Sequence, residues 1–396
     1  MGMTLKTRML SLLLAGVLWL PLYAWSEAIP PQATPAPSPT DDQAADGWTT
    51  VIRNTPYWQS QGIYKNLRVI RAWVLLGNGY CSQPDRQILF DRRGRFLGYI
   101  VNQATPAETQ QRLNQLRKQL VDENRIKTWI PGTLDKVGYP FALACEQPHV
   151  DIGASIDRMT GNDKSDLLWG SWDGLTIGAP DDEVPLYQVI QRVYRYRDEN
   201  LAYAFPDSVL HDLLGQIMIE SGARKHAFSA ANAKGLMQLR PEVLNDCQIP
   251  QAFRLHRMAQ IDCALKLVDQ NHRNLAPVFD KRFGTLPKAK REDLYSLLLV
   301  MAYNVGVGRM EELLDDPELG KPARYFAAHP DHFSANDIAL GMLYHNLGRK
   351  DIGFAALFYM IDVRIAAHEL CRQLPAAGTP WCPENRQATP SSSKVP

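Results

Sequence analysis

Pro206-Asp207-Ser208-Val209-Leu210-His211-Asp212-Leu213-Leu214-Gly215-Gln216-Ile217-Met218-Ile219-Glu220-Ser221-Gly222 reads as one capped helix. Asp207 or Ser208 can accept from the first free N–H groups, and Gly222 can supply the left-handed stop. Leu210, Leu213, Ile217 and Glu220 recur at steps of three, four and three residues, so they share one helical face. Glu220 therefore ends an apolar stripe and points where its helix points its hydrophobes. A carboxyl desolvated in that way stays protonated near neutral pH, which is the state a general acid needs.

The chain continues through Ser221-Gly222-Ala223-Arg224 and a small, polar stretch to Gly235-Leu236-Met237-Gln238-Leu239-Arg240-Pro241. Farther on, the apolar run from Leu294 to Ala302 delivers Tyr303-Asn304-Val305-Gly306-Val307-Gly308. Gln238 has no reason to be buried unless its amide is paired, which favours a role in binding an N-acetyl or hydroxyl group. Tyr303 and Asn304 end a buried helix at a glycine turn and so belong at a cleft rim. The nearest acids upstream of Glu220 on its own helix are Asp212 and Asp207. At 1.5 Å rise per residue they lie about 12 and 20 Å away, whereas a paired carboxylate in an ordinary glycosidase stands about 5 to 9.5 Å off. Neither is a partner, and no second carboxylate is advertised beside the motifs.

With these three segments in order, residues 185–372 resemble the soluble type of lytic transglycosylase, a family with a goose-lysozyme-like fold. That family is marked by a Glu-Ser pair ending a helix, a Gly-Leu-Met-Gln segment about fifteen residues later, and an Ala-Tyr-Asn-x-Gly segment beyond it. The resemblance implies a mainly α, lysozyme-like C-terminal domain that needs no cofactor or metal. It implies an enzyme whose substrate is the glycan strand of peptidoglycan, cut at the β-1,4 bond between N-acetylmuramic acid and N-acetylglucosamine. One Glu, here Glu220, protonates the leaving oxygen and then takes the proton of the muramic acid 6-hydroxyl, which closes a 1,6-anhydro ring. By the same resemblance Ser221 holds the acid or contacts sugar, Met237, Gln238 and Asn304 bind substrate, and the Tyr303 hydroxyl reaches toward the acid. Tyr359 and Tyr344 compete for a tyrosine starting the final helix, and Tyr359-Met360-Ile361-Asp362-Val363 is the better match. Two features depart from the pattern: Arg240 with Glu242 around the proline, and a long insert between Gly308 and Tyr359. Hydrolysis as in goose-type lysozyme is the same-class alternative, and a non-catalytic peptidoglycan-binding scaffold is the alternative of a different class.

The N-terminus bears on compartment. Lys6 and Arg8 precede the apolar run Met9 to Leu22, with small residues at Ala24 and Ala28, so residues 1–28 read as a cleavable signal peptide. A periplasmic or secreted protein is expected, as suits a cell-wall substrate, and an envelope-spanning secretion or conjugation complex is a possible partner. Six cysteines follow the signal: Cys81, Cys145, Cys247, Cys263, Cys371 and Cys382. In an exported chain an even number reads as disulfides, sequential pairing being the simplest of many, each bridge worth ~2–4 kcal/mol. No zinc, calcium-loop, Walker, dinucleotide or nucleophile-elbow pattern occurs. Removal of residues 1–28 takes Lys6, Arg8 and Glu27 from 43 basic and 42 acidic side chains, which leaves the two equal. Such a neutral chain is not a nucleic-acid binder.

Residues 29–46 form a Pro-rich linker and 383–396 a tail of similar character. Between the linker and the catalytic segment, residues 47–180 read as a small α+β domain of unknown role. Ile88-Leu89-Phe90, a turn from Asp91 to Gly94, and Phe96 to Val101 form a hairpin. Thr105 to Asn124 forms an amphipathic helix with Leu113, Leu116 and Leu120 on one side. Tryptophans crowd this half, from Trp48 to Trp172, and none falls between Tyr187 and Thr379. They serve as core of the small domain, as faces for sugar, or within a docking surface for an envelope machine.

Overall fold

The computed structural model describes residues 47–146, 150–200, 206–375 and 379–382, all within one compact unit. The expected signal peptide, linker and tail lie outside the described residues. The first half runs α1 (Trp48–Arg53), α2 (Ile63–Leu76), β1 (Arg86–Phe90), β2 (Phe96–Val101), α3 (Pro106–Asp122), β3 (Phe141–Ala144), α4 (Ile152–Thr160), β4 (Gly170–Trp172) and β5 (Leu175–Ile177). The second half is helical: α5 (Leu186–Asp198), α6 (Asp207–Ser221), α7 (Pro241–Asp246), α8 (Arg257–Phe283), α9 (Lys288–Val305), α10 (Val307–Asp315), α11 (Lys321–Ala328), α12 (Ala335–Tyr344) and α13 (Phe354–Gln373). The protein is therefore mainly helical, with a small antiparallel sheet.

Helix α6 is the axis of the second half. Every residue from Val209 to Ile219 is buried, so the helix is enclosed by α13, α9, α5 and α4 rather than laid on a surface by one stripe. Its ends differ in how well they match the sequence reading. Neither Asp207 nor Ser208 caps the start: Pro206 holds that position without a side-chain bond. Gly222 does end the helix in the left-handed region, at φ +62°. Where α6 crosses α13, Gly215 faces the backbone of Val363, and a β-carbon there would collide with the Val363 carbonyl. That close approach is why a glycine is tolerated mid-helix, where it costs about 1 kcal/mol in propensity.

Three helices are pinned together two turns below Glu220. The buried carboxylate of Asp212 on α6 receives Arg364 of α13, with an ion-pair distance of 2.6 Å, and the Ser296 hydroxyl of α9 at 2.6 Å. Burial pushes this carboxyl up, but Arg364, His211 and Ser296 outweigh it and hold it below the usual range. A salt bridge of this kind resists the loss of either partner, because the survivor would be a buried charge.

In the first half the hairpin forms as read, with β1 antiparallel to both β2 and β3 in the order β2-β1-β3. Asp91 closes the turn by accepting from the backbone N–H groups of Arg93 and Arg95. Thr105 and Glu108 make a reciprocal capping box at the start of α3. Leu113 and Leu120 of α3 pack on Leu89 and Ile100 of one sheet face. The other face (Ile88, Phe90, Phe141) and α2 share the large core with the C-terminal helices. Arg71 of α2 makes two 2.7 Å bonds to Asp362 of α13, both side chains buried. The tryptophans divide: Trp48 packs on Phe141 and Phe354, and Trp73 on Tyr80 and Phe96, while Trp58 and Trp169 are exposed.

The cysteines pair in sequence order, Cys81–Cys145, Cys247–Cys263 and Cys371–Cys382, with Cα separations of 5.1, 5.6 and 5.6 Å. Among the described residues no helix is long and apolar enough to cross a membrane.

Candidate active site

Glu220 occupies the last turn of α6 and is half-buried, where its neighbours one turn back are fully enclosed. Its Oε1 accepts a 2.6 Å hydrogen bond from the Tyr359 hydroxyl. The Tyr359 hydroxyl oxygen in turn accepts from Nε2 of Gln216, one helical turn before the acid, at 3.3 Å. The relay is directional: the amide N–H can only donate, so the tyrosine proton is aimed at the carboxylate. Burial pushes the Glu220 carboxyl up to about 7, against the pull of the Tyr359 bond in the other direction. Tyr359 is itself held well above its ordinary range, by burial first and then by the Glu220 charge. Among the described residues no other carboxylate bonds to Glu220 or shifts it.

The Gly235–Leu239 segment forms a tight turn beside this acid. Gly235 has φ +69°, and a β-carbon there would also strike the amide of Gln260. Gln260, wholly buried on α8, accepts from the Met237 N–H at 3.0 Å and donates to the carbonyls of Lys234 at 3.1 Å and Arg254 at 2.6 Å. The Met237 carbonyl takes the Tyr303 hydroxyl at 2.7 Å. Met237 is thus anchored through its peptide groups, with its side chain in the core. Gln238 adopts the left-handed region at φ +47°, is half-buried, and donates from Nε2 to the Gly235 carbonyl at 2.8 Å.

Tyr303, at the end of α9, lies close enough for the Glu220 charge to act on it: burial first and then that charge hold its hydroxyl well above the ordinary range. Its proton goes to Met237, and the hydroxyl that reaches the acid is that of Tyr359. Asn304 is half-buried in the last turn of α9, and its side chain makes no hydrogen bond among the described residues. Ser221 is buried, with Oγ donating to the Ile217 carbonyl at 3.1 Å. Tyr344, the competitor of Tyr359, is buried at the end of α12 near Thr55, Tyr139 and Asp91, away from the acid. Arg240 and Glu242 are exposed and 3.6 Å apart at the start of α7.

Glu220, Tyr303, Tyr359 and the Met237 peptide therefore meet, brought in by α6, α9, α13 and the turn before α7. The turn has a second support in Cys247–Cys263, which ties α7 to α8. Two residues essential to the arrangement were missed in the sequence, Gln216 and Gln260. Each is an amide inside an otherwise apolar helical run, and a buried amide must find partners. No protein-family model matches the chain, and no curated protein matches it in sequence.

Proposed function

We propose that this protein cleaves the glycan strands of peptidoglycan as a lytic transglycosylase, with Glu220 as general acid and then general base. One observation carries the reading: a lone carboxyl on a half-buried residue, tethered through one oxygen by Tyr359 at 2.6 Å and pushed by desolvation up to about 7. A protonated Glu220 gives its proton to the glycosidic oxygen as the bond to the anomeric carbon breaks. The carboxylate left behind is held by the Tyr359 hydroxyl, which supports negative charge without a second acid. It then takes the proton from the muramic acid 6-hydroxyl, whose oxygen bonds to the anomeric carbon, and the acid is restored for another turnover. Water is not consumed. Gln238 and Asn304 at the rim supply amide groups for the N-acetyl and hydroxyl groups of the sugars. Export to the cell-wall compartment accords with the three disulfides, which persist in oxidising surroundings. The test is mass spectrometry of the soluble products from purified peptidoglycan: anhydro-muropeptides support the reading, and reducing-end products would replace it with hydrolysis.

A further inference from the structure

A second concave site stands in the first half of the chain. A cleft of about 780 Å³ opens between α1, the β1–β2 turn and the segment that follows α3. Its walls carry four cationic side chains, Arg92, Arg95, Arg125 and Lys127, against a single acid, Asp91. That acid is spent: it is buried, and its oxygens already take the backbone N–H groups of Arg93 and Arg95 and the Arg95 side chain. Arg125 has Glu123 at 3.7 Å and donates to the Leu97 carbonyl. Arg92 and Lys127 have no ion pair among the described residues. Trp129 and Asn54 also line it, with uncharged residues such as Val51, Ile126 and Tyr139.

We propose that this cleft binds a peptide bearing several spaced carboxylates, and, resting on the function proposed above, that the peptide is a stem attached to the glycan strand. The volume suits a ligand of drug or tetrapeptide size and exceeds what one inorganic anion fills. The cations come from two segments, Arg92 and Arg95 at the β1–β2 turn and Arg125 and Lys127 after α3, an arrangement that matches spaced negative groups rather than one. The indole offers an apolar face for the aliphatic part of such a ligand. Placement also fits. Trp48 of α1 packs on Phe354 at the start of α13, 5.5 Å between ring centres, and Tyr359 lies five residues farther along that helix, about 7.5 Å of rise. The start of α13 thus connects the helix that carries Tyr359 with α1, which supplies one wall of the cleft.

The test uses the mature, disulfide-bonded protein and a sugar-free, carboxylate-rich stem tetrapeptide released from peptidoglycan by an amidase, measured by calorimetry. Binding is expected, weakened at least about tenfold in Arg92→Gln/Lys127→Gln and again in about 0.5 M salt, and unchanged in Glu220→Gln. Trp129→Ala serves as a second variant should the first lose its thermal transition, and it too is expected to weaken binding. No binding by the wild type, equal binding by the charge variant, equal binding of the fully amidated peptide, or displacement by inorganic phosphate at similar concentration would each overturn the assignment. Peptide binding without anhydro products from peptidoglycan would keep this site and refute the catalytic reading. Anhydro products without peptide binding would do the reverse.

Discussion

The Tyr359 hydroxyl donates to Glu220 Oε1 at 2.6 Å across two helices, α13 and α6, that can approach so closely only because residue 215 is glycine. The acid and its supporting hydroxyl are thus set by helix packing, and the behaviour of each can be altered separately.

Tyr359→Phe removes the bond that favours the ionised acid. The Glu220 pKa should rise above its present value of about 7, so the alkaline limb of activity moves to higher pH. Turnover should fall by roughly 100-fold or more, as for loss of one charge-stabilising donor. The orphaned Gln216 amide adds a stability loss of about 1–3 kcal/mol. A pH–rate profile and a thermal melt check both. An unchanged or acid-shifted limb would refute the assigned role.

Gly215→Ala places a methyl against the Val363 carbonyl and must separate α6 from α13. Overpacking of this kind costs about 1–3 kcal/mol or more. We expect a clearly lowered melting temperature together with loss of activity in the folded fraction. A variant with wild-type stability and activity would contradict the close crossing.

Gln260→Met keeps the volume but strips one acceptor and two donors from the Lys234, Met237 and Arg254 peptides. Several kcal/mol of local support disappear. Activity should fall severely while far-UV circular dichroism stays helical, and proteolysis should begin within residues 227–240.

Glu220→Gln should stabilise the protein in a pH-dependent way. The folded carboxyl has a pKa of about 7 against an ordinary 4.5, so the folded state binds more protons between those values. The protonated acid therefore stabilises the fold most below about 4.5, and that contribution is lost as pH rises through about 7. Glutamine does not ionise. The variant should gain about 1–3 kcal/mol over wild type at pH 8 and little at pH 4, read from denaturant melts. Equal differences at both pH values would show that Glu220 is not desolvated.

Much of this architecture was legible in the chain because local chemistry and tertiary role agreed. The Asp91–Gly94 turn and the Gly222 stop each satisfy backbone groups within a few residues, so spacing alone reveals them. Glu220 was legible as an exception to its apolar surroundings. The stripe argument was incomplete, since α6 is buried on all sides and even Asp212 and Gln216 face neighbours. Gln216, Gln260 and the Asp212–Arg364–Ser296 cluster stayed hidden because their partners lie far along the chain, on helices whose packing no local pattern encodes. The same holds for the first half: α2 and the sheet join the C-terminal core through contacts such as Arg71–Asp362, which join residues 291 positions apart.

The most direct test of the central claim is the product released from purified peptidoglycan by the wild-type protein and by Glu220→Gln, resolved by mass spectrometry. The account predicts muropeptides ending in 1,6-anhydro-N-acetylmuramic acid from the wild type and none from the variant. Reducing-end products, or anhydro products from both proteins, would contradict a single acid at Glu220 that serves first to give a proton and then to take one.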